Sequence, residues 1–457
     1  MPRAPLTYLA LNGSLGTGFK ESSLEAGLGR PLAFIGADSG STDGGPFYLG
    51  SGEWIWSYAA YERDLRLGFL GARRLGIPLI IGSCGGGGND SAVDGYAEMV
   101  DRIARAAGVT ARVACVKTEP DRELLVSKYR EGKLRPLPGA PTIDEGVLRA
   151  PGHIVAMSGA EPIQDALDAG ADVVLVGRCA DAAIFAAMPL AHGFDPGPVW
   201  NAAKIVECGS AAAMNRQGQD CILCTVEDDG FVLEPLDPPV RCTPGSVAAH
   251  TLYETADPYR LTMPSGTLDA RSATYEALDD RRVKVRGGTF TPSDTYTAKL
   301  EGAAPVGYLS SFWGSMRDPV ILGQLPSWCE AMKAQVDRRL ASTWGDRYRF
   351  DVKVYGANGT IGEPTDAVPR EAVLVFDLVG DTQEEASGMA RAAYHVVLHY
   401  PVKEYRAGSI TTIAHPYSAP VVDRGAIYRF TLNHQLVIDD GERSQVFRTS
   451  IHEVGKP

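Results

Sequence analysis

Residues 172–188, DVVLVGRCADAAIFAAM, decide the fold class of this chain. A short apolar run at 172–176, rich in β-branched residues, ends in the polar loop GRCAD, and a helical pattern follows at 180–188. A strand, a loop and a helix in this order form the unit from which parallel sheets are built. We therefore expect the strand to deliver its loop to one edge of a sheet.

The same kind of apolar run recurs elsewhere in the first half of the chain. Further strands are expected at 31–37, 78–82, 112–117 and 153–157. Helices are expected at 53–75, 91–107, 162–169 and 180–188. The alternation predicts an α/β fold, a mostly parallel sheet with helices on both faces.

The pattern changes past about residue 190, where short strands alternate with Pro/Gly turns before a helical pattern at 325–340. Strands are then expected at 348–356, 371–380, 408–416 and 426–439, with a helix at 381–400. This order predicts a C-terminal α+β ferredoxin-like layer. The predicted domains are 1–345, an α/β core with a β-rich second half, and 346–457, an α+β domain.

Composition limits the classes of protein to consider. The 457 residues are 44% hydrophobic and 22% charged, which is enough for a large core. The net charge of −12 repels phosphate backbones and anionic membrane surfaces, so neither nucleic acid nor membrane is an expected partner. The first residues lack a signal-peptide pattern, and eight scattered cysteines suit reduced thiols. We expect a cytoplasmic homo-oligomer.

Four loops are expected to face one crevice, because the carboxyl ends of parallel strands meet at one edge of a sheet. These loops are DSGSTD at 38–43, SCGGGGND at 83–90, GAEP at 159–162 and GRCAD at 177–181. A small-molecule carboxylate is the substrate class expected in such a crevice. The residues predicted to bind it are Ser41, Thr42, Ser83, Gly85, Gly86, Gly87, Gly88, Asn89 and Arg178.

The glycine run at 85–88 would expose consecutive backbone N–H groups at a helix amino end, an arrangement that binds carboxylate or phosphate. It matches neither the Walker loop nor the dinucleotide fingerprint. A tight turn followed by a helix cap is the alternative interpretation.

Acidic residues in or near these loops are candidates for proton transfer. The predicted catalytic residues are Asp38, Asp43, Glu161, Asp181 and Glu207. Asp38 and Asp43 also suit a divalent cation, or simple turn chemistry. Arg178 is either a fork for a substrate carboxylate, oriented by Asp181, or half of a structural ion pair.

Metal and cofactor signals are weak. Cys221 and Cys224 form a lone CxxC on an expected strand, where their side chains point to opposite faces. His395 and His399 would share a helix face and could ligate a metal together with His415, although packed histidines are the commoner case. The sequence assigns no metal ligand, identifies no cofactor and leaves a divalent metal open.

Several motifs carry a family resemblance. GAEPI at 159–163, GRCAD at 177–181, ECG at 207–209 and LYETADP at 252–258 occur in the order seen in the acyclic terpene utilisation (AtuA-like) family, which the chain resembles to about residue 418. The positions that match the family are Asn89, Glu161, Arg178, Asp181, Glu207, Gly209, Tyr253, Glu254 and Asp257. The stretch at 38–53 and the long glycine run depart from the family pattern.

The resemblance implies a catabolic enzyme group linked to acyclic terpene, branched carboxylic acid or acyl-CoA breakdown. Together with the acidic loops, it predicts a lyase of hydratase type or an isomerase, with carboxylate acid/base residues and an anion-binding glycine loop. The alternatives are a non-catalytic ligand-binding subunit of a multi-component catabolic enzyme, and a metal-dependent hydrolase.

Overall fold

The computed structural model describes residues 3–150, 152–251, 253, 257–360, 368–403, 413–414 and 419–456. The chain forms two compact units, one of Met1–Ala304 with Phe430–Pro457 and the other of Pro305–Arg429. These units divide the chain at different residues from the predicted domains 1–345 and 346–457, which stay a prediction.

The strands in chain order are β1 Leu6–Ala10, β2 Leu32–Asp38, β3 Leu79–Gly82, β4 Ala111–Lys117, β5 Leu134–Pro136, β6 His153–Ala156, β7 Val173–Val176, β8 Ile222–Glu227, β9 Gly230–Pro235, β10 Arg260–Met263, β11 Gly266–Asp269, β12 Thr274–Ala277, β13 Val283–Arg286, β14 Thr289–Pro292, β15 Tyr296–Met316, β16 Arg349–Tyr355, β17 Ala372–Gly380, β18 Val422–Ile438 and β19 Arg448–Val454.

The helices are α1 Glu21–Leu28, α2 Pro46–Ser51, α3 Tyr58–Leu75, α4 Asp90–Ala107, α5 Arg122–Arg130, α6 Glu145–Arg149, α7 Glu161–Asp168, α8 Asp181–Ala191, α9 Pro196–Val206, α10 Pro244–Thr251, α11 Pro319–Leu322, α12 Leu325–Trp344, α13 Gln383–Leu398 and α14 Arg443–Val446. In the described part of the chain, none of these helices is long and apolar enough to cross a bilayer.

The first unit is built on a ten-stranded sheet in the order β12-β13-β9-β8-β1-β2-β3-β7-β4-β19. Its central strands β1, β2, β3, β7 and β4 are parallel, and its outer neighbours pair antiparallel. The predicted α/β class and parallel pairing are thus confirmed for the centre. The sheet as a whole is mixed, so "mostly parallel" was too strong.

Four of the five predicted strands lie in the parallel centre, as β2, β3, β4 and β7. The fifth, at 153–157, forms β6 but was placed in the wrong sheet. It pairs antiparallel with β15, with Ile154 opposite Gly302. A short apolar run does not specify its partner, which is why the sequence did not distinguish the two arrangements.

The central strands bury both faces, so successive residues enter different apolar clusters. On β7, Val173 and Leu175 join a cluster with α1, α3 and α4, whereas Val174 and Val176 join one with α7, α8 and α9. Packing on both faces fixes the strand, and with it the position of the loop that follows.

The second unit pairs β16, β17 and the end of β15 antiparallel, with α12 and α13 contributing to its core. The predicted helices at 325–340 and 381–400 and the strands at 348–356 and 371–380 are confirmed. The predicted strand at 408–416 lies outside the described residues, apart from 413 and 414. The ferredoxin-like arrangement stays a prediction.

Candidate functional site

The carboxyl ends of β2, β3 and β7 bring three predicted site loops together. Backbone hydrogen bonds tie them, since Ser39 N donates to Gly82 O at 2.9 Å and Ser83 N donates to Gly177 O at 3.0 Å. The loop after β1 joins them, because Leu15 N donates to Asp38 O at 2.7 Å. Side chains from separate stretches of sequence therefore meet at one edge of the sheet.

Arg178 is the centre of this group and is only 5% exposed. Its Nε donates to Glu301 Oε2 at 2.8 Å, and its Nη1 donates to Ser83 Oγ at 3.2 Å and to Asp181 Oδ1 at 3.3 Å. Its backbone N donates to Thr118 Oγ1 at 2.7 Å. Nη2 forms no hydrogen bond with any residue that the structure describes, so its donors remain available.

Glu301, on strand β15, holds Arg178. Its Oε1 accepts hydrogen bonds from Thr42 Oγ1 and from Lys299 Nζ, both at 2.8 Å. Burial alone would raise the pKa of Glu301, but the charges of Arg178 and Lys299 outweigh it and lower the pKa to about 2. Glu301 is thus a fixed negative charge that neutralises much of the charge of Arg178.

Asp38 lies beside this pair and is 3% exposed. Its Oδ2 accepts a hydrogen bond from Gly40 N at 2.8 Å, whereas Oδ1 is buried and has no hydrogen-bond partner among the described residues. Burial, and then the charge of Asp181, raise the pKa of Asp38 well above its ordinary value, against the opposing effects of Gly40 N–H and Arg178. Asp38 is therefore a buried carboxyl group that keeps its proton to a higher pH than an exposed aspartate does.

Asp181 is the more accessible of the two aspartates, with a side chain 30% exposed. It is the first residue of α8. Burial raises its pKa, while the charges of Arg178 and Lys204 act in the opposite direction. Lys204 forms an ion pair with Glu207. Glu207, a predicted catalytic residue, therefore acts on this cluster through Lys204.

The residues of the loop at 38–43 differ in how closely they contact the Arg178 group. Thr42 is buried and donates a hydrogen bond to Glu301, whereas the neighbouring Asp43 is exposed. Asp43 nevertheless lies close enough for its charge to raise the pKa of Asp181. Ser41 Oγ accepts a hydrogen bond from Asp43 N at 3.2 Å, which is ordinary turn chemistry.

The glycine loop is closely packed. A Cβ built on Gly86 would lie 2.3 Å from Ile55 Cδ1, and one on Gly88 would lie 2.3 Å from Arg178 N. Built side chains at Gly85 and Gly87 would meet neighbouring atoms too. These approaches account for the glycines without a ligand, so the anion-binding role stays a prediction.

Two polar residues border the glycine loop. Ser83 has φ +47°, a region that non-glycine residues rarely adopt. Its Oγ accepts the hydrogen bond from Arg178 Nη1. Asn89 is buried and donates from Nδ2 to Leu49 O at 3.2 Å, so its amide holds the loop.

Glu161 belongs to a different group from Arg178. Its Oε2 is buried and lacks a hydrogen-bond partner within the described ranges. Nearby, Tyr296 OH accepts a hydrogen bond from Gly159 N at 3.0 Å. Burial and then the charge of Glu161 raise the pKa of Tyr296. The structure shows no hydrogen bond between Glu161 and the Arg178 group among the residues it describes.

The sequence interpretation missed three charged residues of the group, namely Glu301, Lys299 and Lys204. Glu301 stands in the run YTAKLEGAAPVGY, where a single acidic residue looks like the solvent-facing position of a strand. Only the pairing of β15 with β6 places it near β7. The one signal available was its isolation among apolar and small residues.

The described residues contain no group of three or more His, Cys, Asp or Glu side chains that could hold a metal ion. Cys221 and Cys224 enter opposite apolar clusters, which confirms the prediction from their spacing, and all eight cysteines are free. His395 and His399 have ring centres 5.7 Å apart. His415 and the family-matching Glu254 lie outside the described residues.

Comparison with known proteins gives a match to one family model. The family model described as acyclic terpene utilisation family protein AtuA matches residues 82–216 and 223–424, which together are most of the chain. No curated protein and no solved structure matches. The matched ranges include Arg178, Asp181 and Glu301, whereas Asp38 precedes them.

Proposed function

Because the chain belongs to the acyclic terpene utilisation AtuA family, we propose that it is a catabolic enzyme acting on a carboxylic acid or acyl-CoA thioester. The proposed chemistry is that of a hydratase-type lyase or an isomerase, in which a proton moves beside the acid or thioester carbonyl. The family description supports acyclic terpene breakdown as the metabolic setting.

The observation that carries this proposal is the buried Oδ1 of Asp38, which has no partner among the described residues. A buried polar atom without a hydrogen bond is costly, and a catalytic role is one of the reasons for which such an atom is retained. A carboxyl group whose pKa is raised by burial is suited to general acid catalysis. Asp38 is therefore the group that gives a proton to, or takes one from, the substrate carbon.

Arg178 is the group that stabilises negative charge on the substrate oxygen in this proposal. Glu301 and Ser83 hold its Nε and Nη1, so the guanidinium is oriented before any ligand arrives. Nη2 then donates to the carbonyl or carboxylate oxygen, on which negative charge develops when the neighbouring carbon gains or loses a proton. Asp181, the more exposed carboxylate, orients the water or takes the second proton.

The two reactions use the same groups. In hydration, the hydroxyl of water bonds to the β carbon, Asp181 takes the other water proton, and Asp38 gives a proton to the α carbon. In isomerisation, one carboxylate removes a proton from the γ carbon, the double bond shifts, and the other carboxyl protonates the α carbon. Both routes conserve atoms and electrons and need no redox partner.

The alternative of a ligand-binding subunit without chemistry predicts carboxylates that remain solvated in the pocket. Asp38 and Glu301 are instead 3% and 4% exposed, which supports the enzymatic proposal.

The test uses the purified full-length chain with CoA thioesters of branched, unsaturated acyclic acids in deuterated water. Mass spectrometry then follows the addition of water and the uptake of deuterium beside the carbonyl. Asp38→Asn should lower turnover by about 100-fold or more, which is the usual contribution of a general acid. The control is Asp94→Asn, whose carboxylate is 53% exposed and pairs with Lys117. Equal turnover by both variants would contradict the proposal.

A further inference from the structure

A cavity of about 550 Å³ lies in the first unit, between the first turn of α7 and the segment that contains α14. Small-molecule sites have volumes in this range. Its lining includes Pro162, Asp165, Arg443, Ser444, Arg448 and Thr449. Two guanidinium groups and two hydroxyl residues therefore line one small cavity.

Both arginines keep hydrogen-bond donors available. Arg443 contacts Asp165 Oδ2 through Nη2 at 2.9 Å. Arg448 contacts Asp90 and the carbonyl oxygen of Glu119, also through Nη2. Within the described residues, the Nε and Nη1 atoms of both side chains form no hydrogen bond, and the side chains are 38% and 51% exposed. These free N–H groups are charge-assisted donors that suit phosphate oxygens.

A chain of hydrogen bonds at the end of β4 links the residues of the cavity to those of the proposed active site. Asp90, which pairs with Arg448, accepts a hydrogen bond from Thr118 N at 3.0 Å. Thr118 Oγ1 in turn accepts the hydrogen bond from Arg178 N. Arg448 begins β19 opposite Lys117, the last residue of β4. Both sites therefore lie at the edge of the sheet where the parallel strands end.

We propose that this cavity binds the phosphate-bearing end of the substrate whose acyl end reacts at Asp38 and Arg178. The inference rests on the proposed function, because a CoA thioester joins a reactive acyl group to a phosphorylated nucleotide through a long flexible arm. Arg443 and Arg448 bind the phosphate through their open Nε and Nη1 donors. Asp165 and Asp90 keep the two guanidinium groups in place from their Nη2 side.

The experiment measures the binding of adenosine 3′,5′-bisphosphate to the full-length protein by isothermal titration calorimetry. Arg443→Gln and Arg448→Gln should each weaken binding by about tenfold, because each removes one charge-assisted contact. Arg74→Gln is the matched control, since Arg74 forms an exposed ion pair with Glu25 on the same unit. Thermal unfolding of every variant establishes that it is folded.

Two further titrations distinguish a nucleotide from free phosphate as the ligand. Adenosine and inorganic phosphate should each bind much more weakly than the bisphosphate. Equal binding of inorganic phosphate, equal affinity in all three variants, or no binding of the bisphosphate would overturn the inference. These measurements need no turnover, so they separate its failure from that of the proposed function. Turnover of CoA thioesters without nucleotide binding here would reject this cavity alone.

Discussion

Arg178 Nε and Glu301 Oε2 are 2.8 Å apart, and the two side chains are each 6% exposed although 123 residues separate them in sequence. A buried ion pair costs desolvation, so its net contribution to stability is small. Its effect here is to hold the guanidinium at Nε and to leave Nη2 available. The pair is therefore best understood as a device that orients Arg178.

Loss of one partner should be costly, because the other charge then stays buried alone. We expect Glu301→Ala to lower the free energy of unfolding by about 3–5 kcal/mol. The control is Glu25→Ala, which breaks the exposed pair with Arg74 and should cost at most about 1 kcal/mol. Urea unfolding monitored by circular dichroism measures both. Similar losses in the two variants would show that the Glu301 pair is not buried.

The low pKa of Glu301 should make stability depend on acid pH. Because the pKa falls from 4.5 to about 2 on folding, its contribution is complete above about pH 4.5 and is lost as the pH falls through 2. The shift corresponds to roughly 3 kcal/mol. Urea unfolding of Glu301→Gln between pH 2 and 6 should therefore show a shallower dependence than the wild type. Parallel curves would contradict the assignment.

Asp38 should make stability depend on pH in the opposite direction to Glu301. Its pKa is raised on folding above the ordinary 3.8, so its stabilising contribution is present below that value and is lost as the pH rises. We expect Asp38→Asn to be more stable than the wild type at pH 7, with the advantage disappearing at pH 3. Unfolding of Asp94→Asn should show no such gain. A less stable Asp38→Asn at pH 7 would count against the buried carboxyl.

The close approach at Gly88 gives a prediction with a matched control. Gly88 and Gly132 have φ of +71° and +72°, but a built Cβ meets Arg178 N at Gly88 and nothing within 4 Å at Gly132. Gly132→Ala should cost about 1–2 kcal/mol from backbone strain alone. Gly88→Ala should cost roughly 1–3 kcal/mol more, because the loop must move away from Arg178. Equal unfolding midpoints would show that the approach is unimportant.

The sequence predicted the local pattern better than the pairing. The strands β2, β3 and β7 and their loops were predicted because apolar runs ending in polar loops are local signals. Strand β6 was assigned to the wrong sheet because a short apolar run does not specify its partner. Strand β1 was not predicted as a strand at all. Glu301 was missed because its role arises from strand pairing, which no local pattern encodes.

The meeting of Asp38, Ser83 and Arg178 followed from one rule, namely that parallel strands end at the same edge. The glycine loop shows the limit of that reasoning. Its four glycines suggested a ligand, whereas the close approach of Ile55 and of the Arg178 backbone explains Gly86 and Gly88 without one. Sequence alone gives no measure of how closely two segments pack.

The protonation state of Asp38 tests the central claim most directly. Carbon-13 NMR of the full-length protein, labelled at the aspartate carboxyl carbons, follows each group from pH 3 to 9, and comparison with Asp38→Asn assigns the resonance. We predict one carboxyl that is still protonated at pH 7 in the wild type and absent from the variant. A wild-type spectrum in which every aspartate has lost its proton by pH 5 would contradict the account.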